Sequence, residues 1–328
     1  MTTFAPTSRA TALRRAGVRA TLAPSIHNTQ PWRLHLHEGR LDLYADRSRR
    51  LAVLDPTGRQ LLISCGCAIM NARVSLAGSG LALEITRATH PTQDDLLASL
   101  APSDRPPDAA LAALDPVIEV RQTNRRQFAD EEVPGDVLDA LQDAASAEGA
   151  TLLVVRDPDQ RIAVASLSQY ADQIENLNPA YRAELRAWTT ADPGRRDGVP
   201  DLTVPHVDGT AQDEIPMRDF DTHGKGALPA GTHSSTNQTL ALLCTAGDSP
   251  AEWLRAGEAL ERVLLEITRH GYSASPLTQM TEMPSTRAQL RRDLHMVGYP
   301  HLLLRIGRAP VVPSSRRRRL VDVLVDET

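Results

Sequence analysis

Ala23-Pro24-Ser25-Ile26-His27-Asn28-Thr29-Gln30-Pro31-Trp32-Arg33 separates a basic segment of helical spacing from a segment of strand-like alternation. Proline fixes backbone dihedrals, and Ser and Asn side chains hydrogen-bond locally, so the stretch reads as a rigid turn. Such a turn presents polar atoms to a ligand without losing much entropy on binding. The residues alone fit a ligand loop or a capped turn with Trp32 tucked into the core.

Upstream, residues 8–22 set Leu13, Val18 and Leu22 against Arg9, Arg15 and Arg19, the spacing of a helix. Downstream, residues 33–44 alternate and break at Glu38-Gly39, which predicts a β-hairpin. His35 and His37 share one face of its first strand; with no third ligand in evidence they are read as a solvated face rather than a metal site. Residues 57–78 carry an apolar stripe of Leu62, Cys65, Ile69, Ala72 and Leu76, a helix ended by Gly78-Ser79-Gly80. Cys65-Gly66-Cys67 reads as small residues in a tight helix contact rather than a redox pair. Gly78-x-Gly80 lacks the third glycine of a dinucleotide loop and follows a helix. A strand is expected at 81–87, then a linker with short helices over the Pro-, Asp- and Ala-rich residues 90–116.

A second half begins at Val117. Helices are expected near 134–147, 159–176, 179–190, 250–271 and 285–295, and strands at 151–155, 239–245 and 301–306. Residues 191–235 are dense in Pro, Gly, Asp and Thr with little periodicity, which reads as a lid or as a disordered insert.

Composition excludes several chemistries. The net charge of -5 gives no electrostatic reason to expect nucleic acid or an anionic membrane as partner. No apolar run is read as a bilayer span and no secretory apolar core opens the chain, so a cytoplasmic protein is expected. Three cysteines suggest neither a disulfide framework nor a zinc site. Lys225 is the only lysine, which rules out a P-loop and leaves Schiff-base chemistry to one residue in a Gly-rich segment. The positive charge is arginine, the better residue for two-point phosphate binding. It clusters at Arg121, Arg125 and Arg126, around Thr123, and again at residues 316–319. Two arginines and a hydroxyl suit a phosphate monoester; the same clusters also fit solvated surface.

Pro24-Ser25-x-x-Asn28-x-Gln30-Pro31-Trp32 resembles the signature of the nitroreductase family of FMN proteins, and with His27 and Thr29 its actinobacterial Acg branch. Arg121-Gln122-Thr123-Asn124-Arg125, followed by Phe128, is similar to the family's Arg-x-Ser-x-Arg/Lys opening. Arg317-Arg318 with Leu320 and Val323 is similar to its basic tail. Ser275-Pro276-Leu277-Thr278-Gln279 resembles the segment that lies along the flavin ring, but has Thr278 and Gln279 where many members have Glu-Gly. The resemblance implies that Arg121, Thr123, Arg317 and Arg318 hold the phosphate. It puts Arg125 near the N1–C2=O edge, where a cation stabilises negative charge on the ring. It also assigns Pro24, Ser25, Ile26, His27 and Asn28 of the turn, and Pro276, Leu277, Thr278 and Gln279, to cofactor binding. Because the ring does the chemistry, no catalytic side chain and no metal are expected.

The implied fold is α+β and nitroreductase-like. The turn falls in residues 1–110, whereas the arginine motif and tail fall in 111–328, where residues 145–150 stand in place of a second turn. That order implies two fused, degenerate halves mimicking the family's dimer, one FMN between them, 191–235 as a lid, and a monomer. The activity implied is hydride transfer from NAD(P)H through FMN to a small aromatic or quinone acceptor. A flavin-storage protein with little turnover is the alternative, favoured by the long 191–235 segment and the missing Glu-Gly pair. A structural or signalling domain without flavin is the third reading.

Overall fold

The computed structural model describes residues 8–88, 90, 91, 93–207, 215–229 and 237–328. Helix α1 (Arg9–Ala20) begins at Ser8, whose hydroxyl accepts the Thr11 N–H. The hairpin β1 (Trp32–His37) and β2 (Arg40–Ala45) turns through Gly39 at φ 78°. Then come α2 (Arg59–Gly78), β3 (Ala82–Arg87), β4 (Leu96–Ser103) and the short α3 (Ala109–Ala112). The chain continues through α4 (Gly135–Ser146), β5 (Ala150–Val154), α5 (Pro158–Leu177) and α6 (Pro179–Ala187). After β6 (Thr189–Thr190) and β7 (Val199–Pro200) follow β8 (Thr239–Thr245), α7 (Pro250–Arg269) and β9 (Ser273–Leu277). The last elements are α8 (Gln279–Glu282), α9 (Pro284–Asp293), β10 (Tyr299–Gly307) and β11 (Leu324–Asp326). Asp157-Pro158, Asn178-Pro179 and Ser249-Pro250 each pair a capping side chain with a proline at the first helical position, which fixes where α5, α6 and α7 start.

The two main sheets have strand orders β11-β1-β2-β4-β3 and β5-β8-β10-β9. Apart from β11 the order is the same: first, second, fourth, third, all antiparallel. Each set has a helix before its first strand and a long helix between its second and third, α1 and α2 in one, α4 and α7 in the other. The chain's last strand, β11, returns to lie parallel beside β1, with Leu324 opposite Leu34.

Helices α2 and α7 cross at the centre on Gly66 and Gly257. A Cβ on Gly66 would lie 2.2 Å from the Leu254 carbonyl oxygen, and one on Gly257 would lie 2.0 Å from that of Ile63. Cys65 and Cys67 are buried free thiols donating to the Pro31 and Gly257 carbonyls at 3.2 Å each, as small residues of a tight contact. The core around this crossing takes Leu34, Leu41 and Leu100 from one sheet and Leu243, Leu302 and Leu304 from the other.

Three expectations are corrected. Residues 90–116 are not mainly linker: β4 pairs with both β2 and β3, inside the sheet, and buries Leu97 and Leu100. The Pro and Asp residues that suggested a linker mostly flank the strand. Helix α2 is long and apolar enough to cross a bilayer, contrary to the reading of the sequence, but it lies mostly buried as a core helix. His35 and His37 are half-buried rather than solvated, and His37 faces Glu327 at 2.8 Å and Asp42 at 3.2 Å. Within 191–235, β6 and β7 pair, and Asp221 accepts the N–H groups of Val207, Lys225 and Gly226; residues 208–214 and 230–236 of that stretch lie outside the described residues.

Candidate functional site

After α1 the backbone enters the left-handed region three times, at His27 (φ 46°), Asn28 (φ 54°) and Gln30 (φ 49°). Such residues cost about 1–3 kcal/mol each and persist only where the surroundings hold them. Here one holding contact is within the turn and the others come from residues remote in sequence. The Ile26 N–H donates to Ser64 Oγ on α2 at 3.1 Å, and the Gln30 N–H to Ser25 Oγ at 2.9 Å. Asn28 Nδ2 donates to the Gly198 and Arg316 carbonyls at 3.0 Å each. Gln30 Nε2 donates to the Arg196 carbonyl at 2.9 Å, and its Oε1 accepts the Arg318 N–H at 2.8 Å. Trp32, immediately after, is fully buried, so the stretch serves both as a core anchor and as the edge of a cleft.

That cleft offers about 820 Å³ of empty space, part of it open to solvent. Its apolar floor is Ile63 and Cys67 of α2, Leu260 and Leu264 of α7, and Leu302. The turn supplies Pro24, Ser25, Ile26 and His27, and the end of β9 and start of α8 supply Ser275, Pro276, Leu277, Thr278 and Gln279. A second cleft of about 400 Å³ shares Pro24, Ser25, Thr123 and Arg125 with the first and adds Asn28, Arg121 and Arg317. The arginine motif reaches β9 because Thr123 bridges to Ala274, whose carbonyl accepts the Asn124 N–H at 3.0 Å. The two clefts thus gather every expected residue except Arg318. Its guanidinium donates to the Gln30 carbonyl (3.3 Å) and the Asp322 carbonyl (2.9 Å), outside both linings.

The joined clefts carry buried positive charge. Arg121 is 3% exposed, with Nε 3.2 Å from Glu261 Oε1. Arg317 donates to Asn28 Oδ1 and the Leu22 carbonyl at 3.1 Å each; burial, then Arg121, push its guanidinium down to about 9. Arg125, where the clefts meet, has no carboxylate partner among the described residues and sits 4.8 Å from the Phe220 ring centre. Burial, then Arg218, lower it to about 10. Among the described residues both ring nitrogens of buried His27 lack a partner, and its edge meets Phe220 at 5.2 Å between centres. Burial, with Arg218 and Arg125 nearby, holds this imidazole neutral, well below its usual range.

Met217, Arg218 and Phe220 form a wall of the cleft that sequence reasoning missed. Arg218 donates to Thr278 Oγ1 (3.2 Å), to Glu282 (2.7 Å) and to the Tyr181 hydroxyl, and Glu175 lies 3.7 Å away. Burial, opposed by Arg218, pushes Glu175 up to about 8. Gln279 Nε2 donates to Asp172 at 2.7 Å. The two positions that replace the usual Glu-Gly are therefore tied to the insertion and to α5. The available signal was Met217 and Phe220, apolar side chains flanking an arginine in an otherwise polar stretch. Glu261 was also missed, although it sits on the apolar stripe of α7 with Leu254, Gly257, Leu264 and Leu265.

An α+β chain with a strained turn, an apolar cleft and an adjoining arginine-lined cleft is the class these observations define, and the comparisons agree with it. No family model matches the chain. It is 33% identical over 310 residues to the Mycobacterium tuberculosis H37Rv protein named "Putative NAD(P)H nitroreductase Rv3131", covering 93% of this chain and 88% of that one. It is 29% identical over 310 residues to the same organism's "Putative NAD(P)H nitroreductase acg", covering 92% of each. The chain belongs to the nitroreductase family, in its Acg-type branch. Among solved structures, a Desulfitobacterium hafniense nitroreductase with bound FMN matches at TM-score 0.40 and 11% identity, over 63% of this chain and 94% of that one. The FMN-dependent nitroreductase NfnB of Mycobacterium smegmatis, in complex with NADPH, matches at 0.37 and 16%, over 64% and 96%. At these scores the likeness fixes no residue's role.

Proposed function

We propose that this chain is an FMN-binding oxidoreductase that passes electrons from NAD(P)H to a small aromatic or quinone acceptor. The observation that carries the reading is the joining of an apolar cleft to an arginine-lined one through Pro24, Ser25, Thr123 and Arg125. A flat aromatic body with a phosphate at one end matches both parts. Arg121, Thr123 and Arg317 hold the phosphate by charge-assisted hydrogen bonds. Arg125, without a carboxylate partner among the described residues, stabilises negative charge at the ring's pyrimidine edge. Neutral, unpartnered His27 offers a hydrogen bond to the ligand, and the turn residues Pro24, Ser25, Ile26 and Asn28 face it opposite Pro276, Leu277, Thr278 and Gln279. Arg318 acts at one remove, by holding Gln30. FMN supplies the two-electron chemistry when bound, so we assign no catalytic side chain.

The matching strand orders support reading residues 1–110 and 111–328 as two fused nitroreductase-like halves that keep one site, in a monomer that covers internally what a dimer covers between chains. Residues 191–207 and 215–229, the described parts of the insertion, supply Met217, Arg218 and Phe220 to the cleft wall and are read as a lid. We place the protein in the cytoplasm, where its three free cysteines stay reduced.

A storage role is favoured by one observation: Arg218 and Phe220 wall the cleft while Thr278 and Gln279 are already engaged. The visible spectrum after incubation with FMN and desalting, then with anaerobic NADPH, decides. Retained flavin absorbance that bleaches marks the oxidoreductase, and retained colour that stays yellow marks the holder. Loss of colour in the Arg121→Ala, Arg317→Ala double variant places the phosphate. A colourless wild-type protein overturns the cofactor assignment.

A further inference from the structure

Beneath the two arginines of the anion cleft lies a carboxylate that an anion site should not want. Glu261, on α7, is fully buried, and the polar groups against it among the described residues are the Arg121 and Arg317 guanidiniums and the Asn71 side chain. Its Oε1 is 3.2 Å from Arg121 Nε. Its helix neighbours Leu260 and Leu264 line the apolar cleft, whereas Glu261 lies behind the arginines and lines neither cleft. The groups that face it are Arg121, Arg317 from the tail, and the Asn71 amide and Cys67 thiol of α2. A buried charge without a matched counter-charge is unfavourable by several kcal/mol, so the balance of this group decides what the cleft accepts.

We propose that Glu261 is the resident counter-ion of the anion cleft, and that a phosphate monoester dianion enters together with one proton, taken from solvent by this carboxylate. With Glu261 ionised, Arg121, Arg317 and Glu261 together carry +1, and a dianion held between these two arginines would leave the group at -1 in a buried place; Arg125, where this cleft meets the apolar one, is assigned to the ring's pyrimidine edge and stays outside this balance. With Glu261 protonated the two arginines match the dianion. Burial, opposed by Arg121 and Arg317, already pushes Glu261 up to about 7 in the ligand-free protein, so the proton costs little near neutrality. An added dianion raises it further. Affinity is then highest below the ligand-free value and falls as pH rises through it, while a ligand without the phosphate shows no such slope. Glu261 is a specificity-determining residue, and it does not touch the ligand.

The inference rests on the reading that the anion cleft takes the FMN phosphate. Titrations with FMN and with riboflavin, followed by flavin fluorescence between pH 7 and 9, test both; over this range the FMN phosphate is dianionic, its second pKa being about 6. Wild-type affinity for FMN should fall about tenfold across the range, the equivalent of about one pKa unit, while riboflavin binding stays flat. Glu261→Gln should flatten the FMN profile and bind FMN more tightly than wild type at pH 9. Calorimetry of the wild-type protein in buffers of different ionisation enthalpy should show uptake of a substantial fraction of a proton, up to about one, per FMN at pH 8, and needs no variant. If FMN out-binds riboflavin but without proton uptake, or if Glu261→Gln keeps the wild-type slope, the counter-ion role is wrong and the FMN reading stands. If FMN binds no better than riboflavin, the phosphate reading falls, and this inference with it.

Discussion

The connection from a helix into the first strand of a sheet occurs twice in this chain and is built in opposite ways. Between α1 and β1, residues 21–31 form a turn with three left-handed non-glycine residues, held by side chains and carbonyls from α2, the insertion and the tail. Between α4 and β5 only residues 147–149 intervene, with Gly149 taking the single positive φ of 72°. There Glu148 pairs with Arg73 at 2.5 Å and Arg262 at 2.6 Å, so the short turn closes the protein where the long one opens a cleft. The next connection is reversed. Glu38-Gly39 is all that joins β1 to β2, whereas residues 155–238 lie between β5 and β8 and contribute Met217, Arg218 and Phe220 to the same cleft. Two sheets of one topology thus combine one elaborated loop from each into a single site.

The largest effect should come from breaking the frame that makes the two connections comparable. Gly257→Val puts side-chain atoms into the α2 backbone, where even a Cβ meets the Ile63 carbonyl at 2.0 Å. We expect a loss of at least about 4 kcal/mol in urea unfolding, or no folded protein. A loss below about 1 kcal/mol would mean that the helix crossing is looser than the structure shows.

Next comes the long turn itself. Asn28→Ala removes two donated bonds and one accepted from Arg317, and puts alanine at φ 54°. About 2 kcal/mol of stability should go with it, and the cleft's grip on an anion should weaken, since Arg317 loses its partner. An unchanged melting profile would show that the turn is held without Asn28.

The insertion side should reveal itself through pH. Glu175 has its folded value raised to about 8 from an ordinary 4.5 by burial, so folding takes up a proton between those values. Its contribution is fully present below about pH 4.5 and is lost as pH rises through about 8, a slope on the order of 1 kcal/mol per pH unit between those values. Glu175→Gln should flatten stability against pH between 5 and 8. A variant that keeps the wild-type slope would assign it to another group.

Smallest is the short turn. Gly149→Ala sets a Cβ at positive φ and 3.3 Å from Arg255 Cδ, the shaft of a flexible side chain that can move. About 1 kcal/mol should be lost, all of it from backbone strain, with flavin retention untouched. If Gly149→Ala cost as much as Asn28→Ala, the contrast between the two turns would lose its energetic meaning.

Much of the site was legible because its residues lie in short runs. Pro24 to Asn28, Arg121 to Arg125 and Pro276 to Gln279 each span five residues or fewer, so a motif places all members of a run together. Strand β4 was missed because nearby Pro and Asp masked its short apolar segment, Leu96, Leu97, Ala98 and Leu100, which pairing with β2 and β3 reveals as a strand. Arg318 matched a pattern one residue from Arg317, yet neighbours on an extended tail point differently; Arg317 reaches Asn28 and Arg318 reaches Gln30.

By itself, the sequence determined most of the local elements, the positions of the two arginine clusters, the family and the expectation of a turn at Pro24 to Trp32, since these depend on spacing and residue type within a few positions. Only the tertiary structure decided that Arg218 and Phe220 reach the cleft, that Gly66 meets Gly257, and that Glu261 lies beneath Arg121. Each of those joins residues far apart in the chain through packing of α2, α7 and the insertion. The energy of a buried charge depends on what surrounds it in space, which no local pattern records.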